Sequence, residues 1–403
     1  MVSLHLGSLE GSFRPRPQRR GVMLLLAVMA ALSLGLASFY TWRQASLFGI
    51  GCLFGLTLYH ASFGFASSYR KLIVRGEVKG VLAQLLMLAV ATLLFAPLLL
   101  THSAQGAVAP VGLQGVVGAF LFGIGMQLGS GCACGTLYTI GAGSSMMLFT
   151  LTSFCLGSFW ASLVDGWWVG WPRLQPHSLL GDWGLMGLAA QLLLLGGLAW
   201  AIRQWGQRAV PEPEMGSLPE AEFGAEPRLP RWQQWVFGPW SLAVGGVVLA
   251  ILNTLTLWIA GRPWGVTWGF TLWTAKLAQA LGWDPGSVPF WSQGFPAAAL
   301  QQNVLADITS VMNLGVILGS ALAATLAGRM RMRKPPSRRA VVGALLGGLL
   351  MGFGARMAFG CNVGAYFSGI ASTSWHGWLW IVFALLGTLL GIRLRPWFNL
   401  SRL

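Results

Sequence analysis

Cys132 and Cys361 stand in matching surroundings. Each closes a stretch that reads G-x-G, five residues, then G-C-x-x-G, so Gly123, Gly125, Gly131, Cys132 and Gly135 fall on Gly352, Gly354, Gly360, Cys361 and Gly364 at a constant offset of 229 residues. A buried thiol is a small neutral S–H donor, and glycine beside it exposes backbone N–H groups. Donors of this kind suit an anion. A divalent oxyanion entering a low-dielectric passage loses hydration that only other donors and the positive ends of short helices replace. Arg356, before Cys361, is either a fixed cation for such an anion or a structural arginine snorkelling to the interface. Its counterpart, Gln127, is neutral, so attraction from Arg356 alone is asymmetric. Asn362 brings an amide, and Cys134, matched by Val363, is a second donor or fills space. Tyr138 and Phe367 also match and are expected to wall the passage, whereas Cys52 and Cys155 read as packing residues.

Glycine breaks of this kind cost a helix interior about 1 kcal/mol per residue relative to alanine, so a use must offset them. One use is close helix contact in an apolar protein. Coincident cysteines as well as glycines point instead to a repeat-built transporter with a site near the bilayer midplane. The surrounding chain fits that class. Over 403 residues it is 55% hydrophobic and 9% charged, with mean hydropathy +0.64, which excludes a soluble globule. Apolar runs occur at about 22–40, 47–66, 81–100, 113–129, 146–164, 183–202, 236–258, 304–327, 341–358 and 376–393. We therefore expect an all-α polytopic membrane protein of about nine to eleven transmembrane helices. The first run lacks a cleavage site and reads as a span.

The net charge of +15 is not the footprint of a nucleic-acid binder, because the basic residues lie between spans. Arg14, Arg16, Arg19 and Arg20, then Arg70, Lys71, Arg75 and Lys79, then Arg329, Arg331, Arg333, Lys334, Arg338 and Arg339 mark cytoplasmic segments. Residues 101–112 and 165–182 carry little positive charge and fit the outside. The five cysteines all lie in or beside apolar runs, which argues against a secreted disulfide framework, and no spacing suits zinc. No metal or cofactor is expected.

Residues 1–20 read as a polar cytoplasmic arm, 21–203 as a first transmembrane half, 204–234 as a hydrophilic linker and 235–403 as a second half. The segment before Cys132 runs from outside to inside and the one before Cys361 the other way, so the halves are expected to be inverted and pseudo-symmetric, with re-entrant half-helices. Residues 129–145 are one such element. Residues 58–77 read as an ordinary span or, through His60, Ser62 and Ser67, as pore lining. Trp258 to Trp291 reads as an interfacial or re-entrant hairpin, Asp307 and Asn313 open the next span as interfacial or buried groups, and His376 suits a capping or interfacial role.

The segments LFGIGMQLGSGCACGTLY (Leu121 to Tyr138) and GFGARMAFGCNVGAYFSGIASTSWHGW (Gly352 to Trp378) resemble the YeeE/YedE family of bacterial inner-membrane sulfur transporters, which includes thiosulfate uptake proteins. The resemblance implies an inverted-repeat helical fold narrowed at its middle, with thiosulfate passing cysteine thiols by transient S–H hydrogen bonds. It maps two family cysteines onto Cys132 and Cys361. The third stands in a segment like R-x-x-F-C-x-x-x-x-F-R, which here is His60 to Arg70 with Gly64 at the cysteine position. Ser62, His60, a water or Cys134 would have to stand in. The family also implies a small cytoplasmic sulfur-carrier protein as partner. The expected function is uptake of thiosulfate or a related sulfur ion, with Cys132, Cys134, Cys361, Arg356, Asn362, Gly131 and Gly360 binding it. The alternative is a membrane thiol or sulfur-transfer enzyme using Cys132 and Cys134.

Overall fold

The computed structural model describes residues 17–209 and 231–402. Most of the expected arm and the middle of the expected linker lie outside the described residues.

Among the described residues ten helices are long and apolar enough to cross a bilayer, and their ends fall close to those of the hydropathy runs. In order the chain forms α1 (Arg19–Phe39), α2 (Trp42–His60), α3 (Phe65–Arg75), α4 (Lys79–Leu100), α5 (Leu113–Leu128), α6 (Ala133–Gly141), α7 (Met146–Leu163), α8 (Gly166–Val169) and α9 (Leu179–Ala209). After the undescribed segment come α10 (Arg231–Phe237), α11 (Leu242–Ala260), α12 (Thr267–Ala280), α13 (Pro289–Ser292), α14 (Gly294–Gln301), α15 (Ile308–Leu326) and α16 (Arg338–Met357). A π-helical segment (Asn362–Ser368), α17 (Gly369–Ala371) and α18 (Trp375–Leu394) close the bundle. The protein is an all-α polytopic membrane protein.

Local sequence sets several helix starts. The side chains of Thr41, Ser241, Asp307 and Ser337 each accept the backbone N–H three residues on, opening α2, α11, α15 and α16. The helix walls are then sorted by side-chain size. α16 packs on α5 and α7, and α18 on α5, through glycine faces. A Cβ at Gly125 would stand 2.6 Å from the Gly347 carbonyl oxygen, so that crossing requires glycine. α2 packs on α15 and α4 on α11. α1 and α9 lie outside and present leucine and tryptophan, such as Leu24, Leu34, Leu193 and Trp200, outward.

The connections gather on two faces. The short strands β1 (Pro110–Gly112) and β2 (Arg173–Pro176) pair antiparallel, Gln105 N donates to Gly261 O, and Leu179 N donates to Thr373 O. At the other end of α7, Ser145 N donates to Arg333 O, and Gln18 N donates to Thr325 O. The basic segment around 329–339 thus shares a face with the start of α1.

The 229-residue register of the cysteine motifs extends to helix ends. α4 and α15 begin at Lys79 and Ile308, α5 and α16 end at Leu128 and Met357, and α7 and α18 begin at Met146 and Trp375. Ser130 and Phe359, in the same register, are both non-glycine residues in the left-handed region, at φ 58° and 57°.

Candidate functional site

Four long helical segments are broken inside the bundle, and each break ends at the start of a short helix. The breaks are 61–64 before α3, 129–132 before α6, 261–266 before α12, and 358–361 before the π-helical segment. Gly64, Cys132, Val266 and Cys361 occupy the four N-cap positions. The two cysteines share an extended backbone, φ −90° and ψ −177° for Cys132, φ −109° and ψ −166° for Cys361. The sequence motif therefore repeats as a conformation: a left-handed residue turns the chain, and a cysteine stands at the N-cap of the helix that follows, with only the Cys361 thiol accepting a backbone N–H there.

Cys132, Cys134 and Cys361 are all buried. Cys132 Sγ lies 3.4 Å from Cys134 Sγ, and Cys361 Sγ accepts the Val363 N–H at 3.4 Å. Cys361 and Tyr138 are both within electrostatic range of Cys132 and Cys134. Gly135 faces Cys132 directly, since a Cβ there would stand 3.3 Å from its sulfur.

Beside these thiols sits unsatisfied polarity. Asn362 is fully buried, yet neither its amide nitrogen nor its amide oxygen has a hydrogen-bond partner among the described residues. Tyr69 Oη faces Asn362 and Tyr366 but also lacks a bond of good geometry. The Tyr69 ring stands edge-on to Tyr366 at 6.4 Å, and Tyr366 stacks on Trp380 at 6.3 Å. Each buried unpaired polar group costs about 1–3 kcal/mol. A group left unpaired in this way is free to bond a water, an ion or a substrate.

The breaks are held by side-chain bonds to the backbone. The Trp264 ring stacks on Phe54 at 3.8 Å, the Trp264 backbone N–H donates to Asn253 Oδ1 at 2.8 Å, and its carbonyl accepts Ser368 Oγ at 2.9 Å. Asn313 Nδ2 donates to Val266 O at 2.9 Å. The loop at 261–266 thus runs into the bundle, which makes the Trp-rich stretch re-entrant in its first part. On the other side of the site, Gln127 Nε2 donates to Ala66 O at 3.1 Å and Gln127 Oε1 accepts Arg70 Nη1 at 3.3 Å, tying α5 to α3.

The residues singled out in the sequence divide into groups. Cys132, Cys134, Cys361 and Asn362 come together. Gly131 and Gly360 flank the thiols but differ: Gly360 has φ 147° and no room for a Cβ, whereas a Cβ at Gly131 would meet nothing closer than 3.7 Å. Arg356 lies to one side, its guanidinium 4.3 Å from the centre of the Phe290 ring. It lines a cavity of about 250 Å³ that reaches Gly360 and Gly364. Ser67 Oγ and Ser68 Oγ both donate to Gly64 O, so these hydroxyls are satisfied locally. The ring of His60 packs toward Trp240 at 5.6 Å. His376 Nδ1 meets Ser374 Oγ at 2.8 Å at the start of α18; the bond joins two buried side chains and does not cap the helix backbone. Tyr69, Tyr366 and Arg262, which also lines that cavity, were not legible. Matching the copies picked Phe367, one residue away from the aromatic that faces Tyr69.

Residues 60–390 match the Sulphur transport family. The Probable transporter YedE of Escherichia coli is 34% identical over 166 residues, 40% of either chain, so the match spans about two-fifths of that relative's length. The Thiosulfate transporter TsuA of Spirochaeta thermophila is 27% identical over 357 residues, 84% of this chain and 94% of the relative. The Thiosulfate transporter TsuA of Escherichia coli is 28% identical over 358 residues, 84% of this chain and 90% of the relative. A match over most of the chain, on a bundle with ten membrane-length helices among the described residues and thiols at its helix breaks, identifies the chain as a member of the Sulphur transport (YeeE/YedE) family.

Proposed function

We propose that the protein takes up thiosulfate, or a closely related sulfur anion, across the bacterial inner membrane by passing it between Cys132, Cys134 and Cys361. The observation that carries this reading is the burial of three thiols, Cys132 and Cys361 at helix N-caps and Cys134 in the first turn of α6, beside an Asn362 amide that makes no hydrogen bond among the described residues. An anion arriving there accepts hydrogen bonds from S–H groups and from Asn362 Nδ2, and N-terminal N–H groups of α6 and the π-helical segment face it with their positive dipole ends. Desolvation on leaving water is thereby offset without a fixed charge that would trap the ion. The names of the two full-length relatives, both thiosulfate transporters, support the choice of substrate.

In this reading residues 21–203 and 235–403 are inverted halves, supported by the shared register of helix ends and by connections that alternate between two faces. The face bearing Arg19, Arg20, Arg329, Arg331 and Arg333 is cytoplasmic. A small sulfur-carrier protein on that face is the proposed acceptor. Gly360 lets the backbone turn beside Cys361, Gly131 leaves room beside Cys132 for the anion, and Arg356 draws the anion toward Cys361.

The test is growth of a host unable to import thiosulfate, supplied with thiosulfate as sole sulfur source and, in parallel, with sulfate or sulfite. Wild type is expected to restore growth on thiosulfate, and the Cys361→Ala and Cys132→Ala variants to lose it. Restoration by both alanine variants would remove the thiols from the mechanism.

A further inference from the structure

The cavity beside Cys361 contains a second arginine that the thiol mechanism does not use. Arg262 opens the loop that runs into the bundle, and it lines the 250 Å³ cavity together with Arg356, Thr267, Trp268 and Thr309. A second cavity of about 120 Å³, bounded by Gln302, Asn303 and Asp307, shares Arg262 and Ile308 with the first. Arg262 therefore stands in the partition between the two.

Neither arginine is in a direct ion pair, although Asp165 lies within electrostatic reach of Arg356 and Asp307 of Arg262. Among the described residues the ion pairs join Lys71 and Arg75 to Glu77 and His177 to Asp182, and none includes Arg262 or Arg356. Asp307 is near Arg262, but its Oδ1 accepts Trp268 Nε1 at 3.1 Å and its Oδ2 accepts Ser310 N and Oγ at 2.7 and 2.8 Å. Arg262 is left with one long bond, from Nη2 to Thr309 Oγ1 at 3.5 Å. Aromatic rings cover both cations: Phe290 lies 4.3 Å from Arg356 and Phe295 lies 5.7 Å from Arg262. Both rings come from residues 281–307, which join α12 to α15, whereas residues 76–78 alone join α3 to α4. The first half thus has no wall of this kind.

Arg262 and Arg356 both line this one small cavity, and a guanidinium taken out of water without an ion-pair partner carries a desolvation cost there. A dianion between them offsets that cost. We infer that this cavity is a separate binding site for a doubly charged tetrahedral sulfur oxyanion, held between Arg262 and Arg356 and walled by the 281–307 segment. It selects by charge and shape, so sulfate and thiosulfate bind alike, and discrimination between them is left to the thiols. The inference rests on the proposed passage of an anion past Cys361, which it supplies with a preceding station.

The experiment is calorimetric titration of the purified full chain with sodium thiosulfate, sodium sulfate and sodium chloride at constant ionic strength, with uptake measured in parallel. Sulfate and thiosulfate are expected to bind with similar affinity and chloride not to compete. Arg262→Gln and Arg356→Gln should each weaken both dianions by about tenfold or more, the loss of one charge-assisted contact, with partial recovery in Arg262→Lys. In uptake, Arg262→Gln should raise KM with little change in the maximal rate. Cys361→Ala should lower uptake by about tenfold or more yet leave sulfate binding intact. Unchanged dianion affinity in Arg262→Gln, or loss of sulfate binding in a folded Cys361→Ala variant, would overturn the inference. A Cys361→Ala variant that transports at the wild-type rate, with Arg262→Gln still weak in binding, would instead discard the thiol passage and keep the cavity site.

Discussion

Alanine substitutions at Gly360 and Gly131 separate two positions that the sequence presents as equivalent. Gly360 has φ 147°, outside the range of residues with a Cβ, and such strain costs roughly 1–3 kcal/mol. A methyl there would also stand 2.8 Å from Ala365 N, and that N–H donates to Cys361 O at 2.8 Å in the first turn after the thiol. The obstacle is backbone, so it cannot rotate aside. Gly131 is not among the residues of positive φ, and a methyl there makes only ordinary contacts at 3.7 Å. Gly131→Ala should therefore lie within about 0.5 kcal/mol of wild type. Gly360→Ala should sit toward the upper end of the strain range and displace Cys361. Thermal unfolding of the detergent-purified variants, with uptake by whole cells, measures both effects. The expected result is a Tm several degrees lower and uptake lost for Gly360→Ala, with Gly131→Ala close to wild type on both. Equal effects at the two positions would refute the assigned difference in backbone geometry.

Other substitutions test the supports of the site. Gln127→Leu removes the acceptor of Arg70 Nη1 and the donor to Ala66 O inside the bundle, and should cost about 2–3 kcal/mol. Gln127→Glu, which keeps the acceptor for Arg70, should unfold at a higher temperature than Gln127→Leu; the reverse order would show that the contact between α3 and α5 does not depend on Arg70. If Cys134 stands in for the thiol absent at Gly64, uptake lost in Cys134→Ala should return in a triple variant that adds Gly64→Cys and Ser67→Ala. Ser67 has to be trimmed because a Cβ at Gly64 points at its hydroxyl, while Tyr138 Oη remains at 3.9 Å. A folded triple variant without uptake would end the equivalence of the two thiols.

The fold was largely legible because its elements are set by runs of apolar side chains, which need no knowledge of their neighbours. The breaks were legible for a related reason: glycine and cysteine recur at one offset, and the left-handed turns at Ser130 and Phe359 follow that register. The partners that complete the site were not. Tyr69 and Tyr366 meet only through packing of α3 against the π-helical segment, and an aromatic residue in an apolar run gives no sign of which neighbour it faces. Arg262 was hidden by position, since a basic residue at a helix end reads as an interfacial anchor until the following loop is seen to turn inward. The glycine matches misled in one respect. Identity at Gly131 and Gly360 suggested identical need, yet only Gly360 has a backbone conformation that excludes other residues.

The central claim is that thiols at the helix breaks carry the anion through the bundle. Its most direct measurement is radiolabelled thiosulfate uptake into liposomes holding purified wild type, Cys132→Ala, Cys361→Ala or Cys361→Ser, with the Tm of each variant recorded. Loss of one hydrogen bond to a charged group predicts uptake about 10- to 100-fold lower in each alanine variant, and a smaller loss in Cys361→Ser, which keeps a donor. Uptake at the wild-type rate by both alanine variants, folded and correctly inserted, would contradict the account.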